Sequence, residues 1–596
     1  MKLKSVSKVL SALVISTLFL AACSGDGGSS TKTTTKTKEP AKSQQVDEMS
    51  FPKKTSNDGK EVEGGTLNYG LISDTPFEGI LNYVFYEGQP DFEVLQFFDE
   101  ALLGADENFV YDQTGAANYE LSEDKKTITL KIKDHVNWHD GQPVTAEDLE
   151  YAYLVIGHPK YKGPRYDSQM QMIVGMEEYH AGKADKIAGI KVSDEKTISI
   201  TFKEANPSVL TGLWPYPLHK KYLGSIPVDK LVESDQIRKN PIGFGPFKIK
   251  KIVPGEAVEF VANEDYWQGK PKLDGVSLKI VNPQVATASL KNGDIDFSEL
   301  PVDQYMQAKE LKNIEILGTI DLAYSYIGFK LGHRNPDTGV TKMDNPKFQD
   351  KRLRQAMAYA LDNKQVGEKL YNGLRFPATT VVPPSFPKYH DKSIKGYSKD
   401  VEKAKKLLDE AGYKDINNDG LREDPKGNEF KINFASMSGG DIAEPLAKFY
   451  IQSWKEIGLD VQLVDGRLHE FNSFYEMIEK DDPKVDIYLA AWGTGSDPDP
   501  SGIWHSQAMF NYIRWVNEKS DELLAKGISP EAFEEDYRVQ VYNEWQALVH
   551  EEVPVIPTLF RYNLGAANKR VKGLSMNGGI VDSWHDVSVT AEQPEK

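Results

Sequence analysis

Residues 415–423, Asp415-Ile-Asn417-Asn-Asp419-Gly420-Leu421-Arg-Glu423, set side-chain oxygens at positions one, three, five and nine of a loop, with glycine at six and the Leu421 carbonyl at seven. That spacing suits a calcium ion, which takes six to eight oxygen ligands, yet Lys426 stands where a bidentate glutamate would close the shell, and no helix is evident after it. A tight solvated loop is the favoured expectation, with calcium on Asp415, Asn417, Asp419, Leu421 and Glu423 the alternative. A second concentration of carboxylates, Asp497-Pro-Asp499-Pro, reads by itself as a rigid acidic turn, because Asp-Pro units are strong turn formers. Nucleophilic and metal-assisted chemistry find little support. His135 and His139 flank what reads as a strand end and turn, and His550-Glu551-Glu552 lacks a second histidine. Gly-x-Ser-x-Gly, His-Glu-x-x-His and a phosphate loop are all missing. Paired carboxylates for glycoside chemistry stay open as a residual reading, since 89 acidic residues offer many pairs. The only cysteine is Cys23.

Around these residues, the elements begin with a processing segment. Lys2, Lys4 and Lys8 precede an apolar run from Val9 to Leu20, and Leu20-Ala21-Ala22-Cys23 supplies a small-residue cleavage site. The run is too short for a permanent membrane helix. An exported chain stabilised by disulfides would carry several cysteines. The Leu-Ala-Ala-Cys ending resembles the bacterial lipobox, which implies a diacylglycerol and acyl lipid on Cys23 and a mature chain starting there. Residues 1–22 are then the lipoprotein signal peptide. Residues 23–63 are expected to be a lipid-anchored flexible linker, because Ser, Thr, Lys and Gly dominate and little apolar surface can be buried. The remainder is too long for one core. Net charge of −18 argues against nucleic acid as a partner.

Period-two alternation of Ile128, Leu130 and Ile132 and of Ile198, Ile200 and Phe202 predicts two neighbouring strands with one buried face. Farther on, Leu353, Met357, Ala360 and Leu361 share a helical face. A second helix is expected from a Ser398 cap through Val401, Ala404, Leu407, Leu408 and Ala411 to Gly412. Asp441 with Glu444 reads as a capping box before Leu446, Tyr450, Trp454 and Ile457. Strand-like runs 430–434, 459–464 and 485–492 alternate with these helices. The second half is therefore an α/β lobe and the earlier part a more β-rich one.

Several spaced motifs resemble one family, the large extracytoplasmic solute-binding proteins of peptide-type ABC importers (family 5). They are Trp138-His-Asp-Gly-Gln-Pro-Val-Thr-Ala-Glu-Asp, Asn240-Pro-Ile-Gly-Phe-Gly-Pro-Phe, Asn263-Glu-Asp-Tyr-Trp, Leu290-Lys-Asn-Gly-Asp-Ile-Asp and Asp350-Lys-Arg-Leu-Arg-Gln-Ala-Met-Ala-Tyr-Ala-Leu-Asp. They occur in family order from about Gly64 to Pro557. Ala435-Ser-Met-Ser-Gly-Gly-Asp, Glu470-Phe-Asn-Ser-Phe-Tyr and Ala491-Trp-Gly-Thr-Gly-Ser-Asp-Pro-Asp-Pro are most similar to the oligopeptide-binding lipoproteins of Gram-positive bacteria.

The resemblance implies a two-lobed, three-domain clamp of α/β class with mixed sheets and flanking helices. Residues 64–76, 197–323 and 556–590 would form domain I, 77–196 domain II and 324–555 domain III. It implies a non-enzymatic receptor at the outer face of the cytoplasmic membrane that buries oligopeptides whole and delivers them to the permease and ATPase subunits of an ABC importer. No cofactor is implied. In the family an aspartate after a strand holds the peptide N-terminus. Here that points to Asp497 ahead of Asp499, although extra residues separate them from Trp492. Ser73 and Asp74 would lie along the bound backbone, and Trp492, Met437 and Ser438 would line the pocket. A signalling-peptide receptor, a receptor for another solute and a secreted hydrolase are the alternatives.

Overall fold

The computed structural model describes residues 50–596 except 440, 578, 579 and 582. The export segment, Cys23 and most of the expected linker lie outside the described residues.

Ten strands form the spine of a large mixed sheet in the spatial order Asp460–Leu463, Lys431–Ala435, Ile487–Gly493, Ala323–Phe329, Val555–Asn568, Phe297–Glu299, Thr66–Ile72, Gly275–Val281, Ala257–Ala262 and Phe247–Val253, with Ile314–Ile320 and Arg375–Pro377 also paired to Val555–Asn568. Two apolar cores pack against it, and a third fills a second body built on a separate four-stranded sheet of Ala117–Leu121, Thr127–Ile132, Thr197–Thr201 and Ile190–Val192. The α/β lobe is built on parallel pairs, Lys431–Ala435 beside both Asp460–Leu463 and Ile487–Gly493. Such pairs need a crossover element, and helix Ala443–Glu456 supplies it with Leu446, Ala447, Tyr450 and Trp454 buried.

Two neighbouring segments join the lobes. Val555–Asn568 pairs with Ala323–Phe329 through its first half and with Ile314–Ile320 through its second. The second connection is the step Asp321-Leu322 between those partner strands, held where Asp321 N–H donates to the Arg561 carbonyl at 2.9 Å. The Arg561 guanidinium also bonds the Asp321 carboxylate.

The predicted pair of strands is present as Thr127–Ile132 against Thr197–Thr201, with Ile128 opposite Ile200 and Leu130 opposite Ile198. All four side chains are buried. This pairing moves a domain boundary. Residues 197–244, expected in domain I, contribute Ile198, Ile200, Val209, Leu213, Leu218 and Phe244 to the second body's core, because the strand at 197–201 has its hydrogen-bonding partner there. Conversely, Phe77, Leu81, Val94, Phe97 and Phe98 join the core of the first strand rather than domain II. Residues 50–63 are not a free tether either. Thr55 and Val62 donate backbone bonds to Leu574 and Val589, and the Phe51 ring sits 5.2 Å from that of Tyr562. One aromatic side chain and a few backbone bonds suffice where composition promised none.

Cap assignments divide similarly. Thr145 and Asp148 form the reciprocal capping box at helix Ala146–Gly157. Helix Val401–Ala411 is capped by Asp400 rather than Ser398, and ends at Gly412 with φ of 91°, where glycine removes the Cβ penalty. Helix Ala443–Glu456 has no side-chain cap bond, so Asp441 is not a box residue. Asp441 instead lines the interlobe cavity.

Candidate functional site

The wall contributed by the first strand follows from its sequence. In Thr66–Ile72, Leu67, Tyr69 and Leu71 are buried, and seven residues pair in parallel with Gly275–Val281. Asp296, the last residue of the Leu290–Asp296 motif, fixes the strand's start. Its carboxylate accepts from Asn68 N–H at 2.8 Å and from Arg570 at 2.7 and 2.6 Å. Beyond Ile72, Ser73 N–H bonds the Val281 carbonyl at 3.1 Å, while its hydroxyl accepts from Thr75 N–H at 3.1 Å. The chain thereby turns with Ser73 and Asp74 at the edge of a cavity of about 860 Å³.

The opposite wall is the segment after strand Lys431–Ala435. Ser438 N–H donates to the His469 carbonyl at 2.7 Å, and His469 N–H returns to the Ser436 carbonyl at 3.0 Å. This ladder holds Ser436, Met437 and Ser438 along the cavity. Leu489 and Ala491 of strand Ile487–Gly493 and Thr558, Tyr562 and Asn563 of the interlobe strand complete its floor.

Four of the predicted site residues, Ser73, Asp74, Met437 and Ser438, therefore line one cavity, while Trp492, Asp497 and Asp499 are not among its lining residues. Trp492 stacks on Tyr512 at 5.5 Å and packs edge-on to Phe510. Leu489, Ala490 and Ala491 line the cavity, and the next residue, Trp492, is taken up by that aromatic packing instead. Asp497 is paired already. Arg538 bonds it at 3.0 Å, and the Thr211 hydroxyl donates to it at 2.5 Å. Arg538 and Asp497 are only 5% and 14% exposed, which marks a buried ion pair. Thr211 belongs to the body containing residues 197–244, so this contact bridges the lobes. Asp499 accepts from Ser501 and Tyr542, and burial, together with the Asp497 charge, raises its pKa.

Charged residues that the sequence reading missed also line the cleft, among them Glu93, Glu299, Asp321, Arg375 and Arg561. Glu93 is satisfied by Tyr69, Gln89 and Gln96. Glu299 has no hydrogen-bond partner among the described side chains, and its carboxyl reaches solvent through the cavity. Partial desolvation between the cleft walls, reinforced by the Glu93 and Asp321 charges and opposed by Arg561, pushes it up to about 7. Because the folded pKa lies above the ordinary carboxyl value, the stability tied to this group is complete below about pH 4 and lost as pH rises through about 7. Thermal melts of wild type and Glu299→Gln are expected to diverge over that interval, with wild type losing more; parallel curves would refute the assignment. The one available clue was the charge of Arg561 inside the long, largely apolar strand Val555–Asn568.

The calcium reading fares differently. Asp415 accepts from Gly420 N–H at 3.0 Å, Asn417 donates to Asp419 and Glu423 at 3.1 and 2.9 Å, and Glu423 also accepts from Ile416 N–H at 2.7 Å. The loop thus engages its own donors, and among the described residues no three His, Cys, Asp or Glu side chains gather around a metal position. Equal melting temperatures in calcium and in chelator are the expected result; a rise with calcium would restore the metal reading.

A large cavity walled by two lobes, floored by the strands that join them and bridged by polar contacts away from it defines a solute-capturing clamp. Residues 114–512 match the model for bacterial extracellular solute-binding proteins, family 5 Middle. The chain is 33% identical over 508 residues to the oligopeptide-binding protein OppA of Lactococcus lactis subsp. cremoris strain SK11, covering 83% of this chain and 84% of that one. It is 28% identical over 551 residues to the oligopeptide-binding protein AppA of Bacillus subtilis, with 91% of each covered. Lactococcal OppA, solved in the closed conformation with an endogenous peptide, superposes with a TM-score of 0.72 at 31% identity, covering 88% of this chain and 100% of that one. The chain belongs to the bacterial extracellular solute-binding proteins, family 5.

Proposed function

We propose that this protein captures oligopeptides in the interlobe cleft and delivers them to the permease and ATPase subunits of an ABC importer, performing no covalent chemistry itself. The observation that carries the reading is the cavity of about 860 Å³ whose walls come from both lobes, with strand residues 69–73 and 562–564 along it. An extended peptide buried in such a space must satisfy its backbone N–H and C=O groups, and strand-like segments offer partners that do not depend on its sequence. Kinship with oligopeptide-binding proteins supports the same ligand class. A lipid on Cys23 would hold the mature chain at the outer face of the cytoplasmic membrane of a Gram-positive cell, with the linker letting the clamp reorient toward its permease; two acyl chains give stable anchoring where one does not.

Native mass spectrometry of the purified protein after incubation with a peptide mixture tests the proposal. Intact co-purified peptides are expected. Shortened products would indicate a hydrolase, and a non-peptide adduct would indicate another solute.

A further inference from the structure

Arg375 stands apart from Arg561, the other cationic side chain lining the cleft. It opens the short strand Arg375–Pro377 and lies directly opposite Arg561 across the interlobe strand. Side chains so placed are close neighbours, and like charges in that position repel. Arg561 is neutralised by Asp321. Arg375 has no such partner: its guanidinium lies 4.1 Å from the Tyr371 ring centroid, and it has no hydrogen-bond acceptor or ion-pair carboxylate among the described residues. Glu299 faces the same cavity but bonds neither arginine. Burial, with Arg561 adding to it, lowers the Arg375 pKa, yet a guanidinium stays charged in proteins.

Water in the open cleft can solvate that charge. A ligand filling the cavity displaces the water, and an unpaired buried charge is then strongly unfavourable. The ligand must therefore bring an acceptor. A planar guanidinium oriented on an aromatic ring, with its N–H groups unengaged, matches a carboxylate in geometry and charge. Resting on the oligopeptide reading above, we propose that Arg375 receives a carboxylate of the bound peptide and so selects for peptides carrying one at that place in the cleft.

The carboxylate could be the peptide C-terminus or an acidic side chain, and four alanine-based pentapeptides separate these sources by calorimetry. Penta-alanine as free acid and as C-terminal amide isolates the terminus. Ala-Ala-Glu-Ala-Ala amide and its Gln counterpart isolate the side chain. In wild type at least one acid is expected to bind about tenfold or more tightly than its neutral partner, as hydrogen bonds to charged groups warrant. That preference is expected to vanish in Arg375→Gln and to return in part in Arg375→Lys. Equal binding within both pairs by wild type overturns the inference, as does a preference that survives in Arg375→Gln. Failure of wild type to bind any of the four, together with no peptide retained from the mixture, overturns the oligopeptide reading and this inference with it.

Discussion

Arg570→Gln is expected to lower stability by about 3–5 kcal/mol, the range for removing one partner of a buried ion pair. Arg570 and Asp296 are 2% and 0% exposed. The guanidinium contacts both carboxylate oxygens and also donates to the carbonyls of Thr66, Ala591 and Glu592 at 3.0, 2.8 and 2.9 Å. Its loss would leave the Asp296 charge in a dry core with only the Asn68 amides for compensation. Thermal unfolding would show this as a lowered midpoint for the transition of the lobe carrying the first strand. A second readout follows from position. Asp296 anchors the start of the strand whose far end forms the cleft wall, so ligand affinity should fall along with stability. The double change Arg570→Met with Asp296→Leu should recover part of the stability, because apolar residues of similar volume often replace a buried pair without loss. An Arg570→Gln protein that melts like wild type would show that the pair contributes nothing.

The second large effect concerns Asp497. If the carboxylate holds the lobes together through Thr211, then Thr211→Val removes a hydrogen bond to a charged acceptor while preserving side-chain shape and the Arg538 pair. Such bonds contribute about 1.5–3 kcal/mol, so ligand affinity should fall about tenfold or more, provided the bond is made only with the lobes together. The unliganded melting midpoint should barely move. Asp497→Ala should do both, weakening binding and destabilising the α/β lobe, because Arg538 would be left buried without its carboxylate. Calorimetry on the two variants separates this role from ligand anchoring. Wild-type affinity in Thr211→Val with lost affinity in Asp497→Ala would mean that Asp497 touches the peptide and that the interlobe bond is incidental.

Much of the fold was legible because its causes are local. Alternation at 128–132 and 198–200 fixes which faces are buried, the Thr145–Asp148 box needs only residues three apart, and Gly412 is required by its left-handed backbone. Family resemblance rested on motifs that now have physical duties. In Asn263-Glu-Asp-Tyr-Trp, Tyr266 and Trp267 donate to Glu100. In the first motif, Trp138 donates to Asp148 at 3.1 Å and stacks on His219. These are scaffold contacts, and their strength as markers of the family gave no information about the cleft.

The site was less legible, for a reason visible in its residues. Ser73, Asp74, Met437 and Ser438 were implied by the family resemblance alone, and all four line the cavity. Trp492 and Asp497 are engaged by partners outside the cavity lining, Tyr512 for one and Thr211, 286 residues away, for the other, and such pairings cannot be read along the chain. Arg375 and Glu299 escaped notice because each sits in a three-residue strand, too short to show a pattern that a charge would violate. By itself the sequence determined the class of fold, the exported lipoprotein expectation at Cys23 and the family, since these depend on periodicity, composition and motif order. Only the tertiary structure decided which charges are paired and which face the ligand. Pairing depends on distances between residues hundreds of positions apart, and a charge acquires its role from what surrounds it.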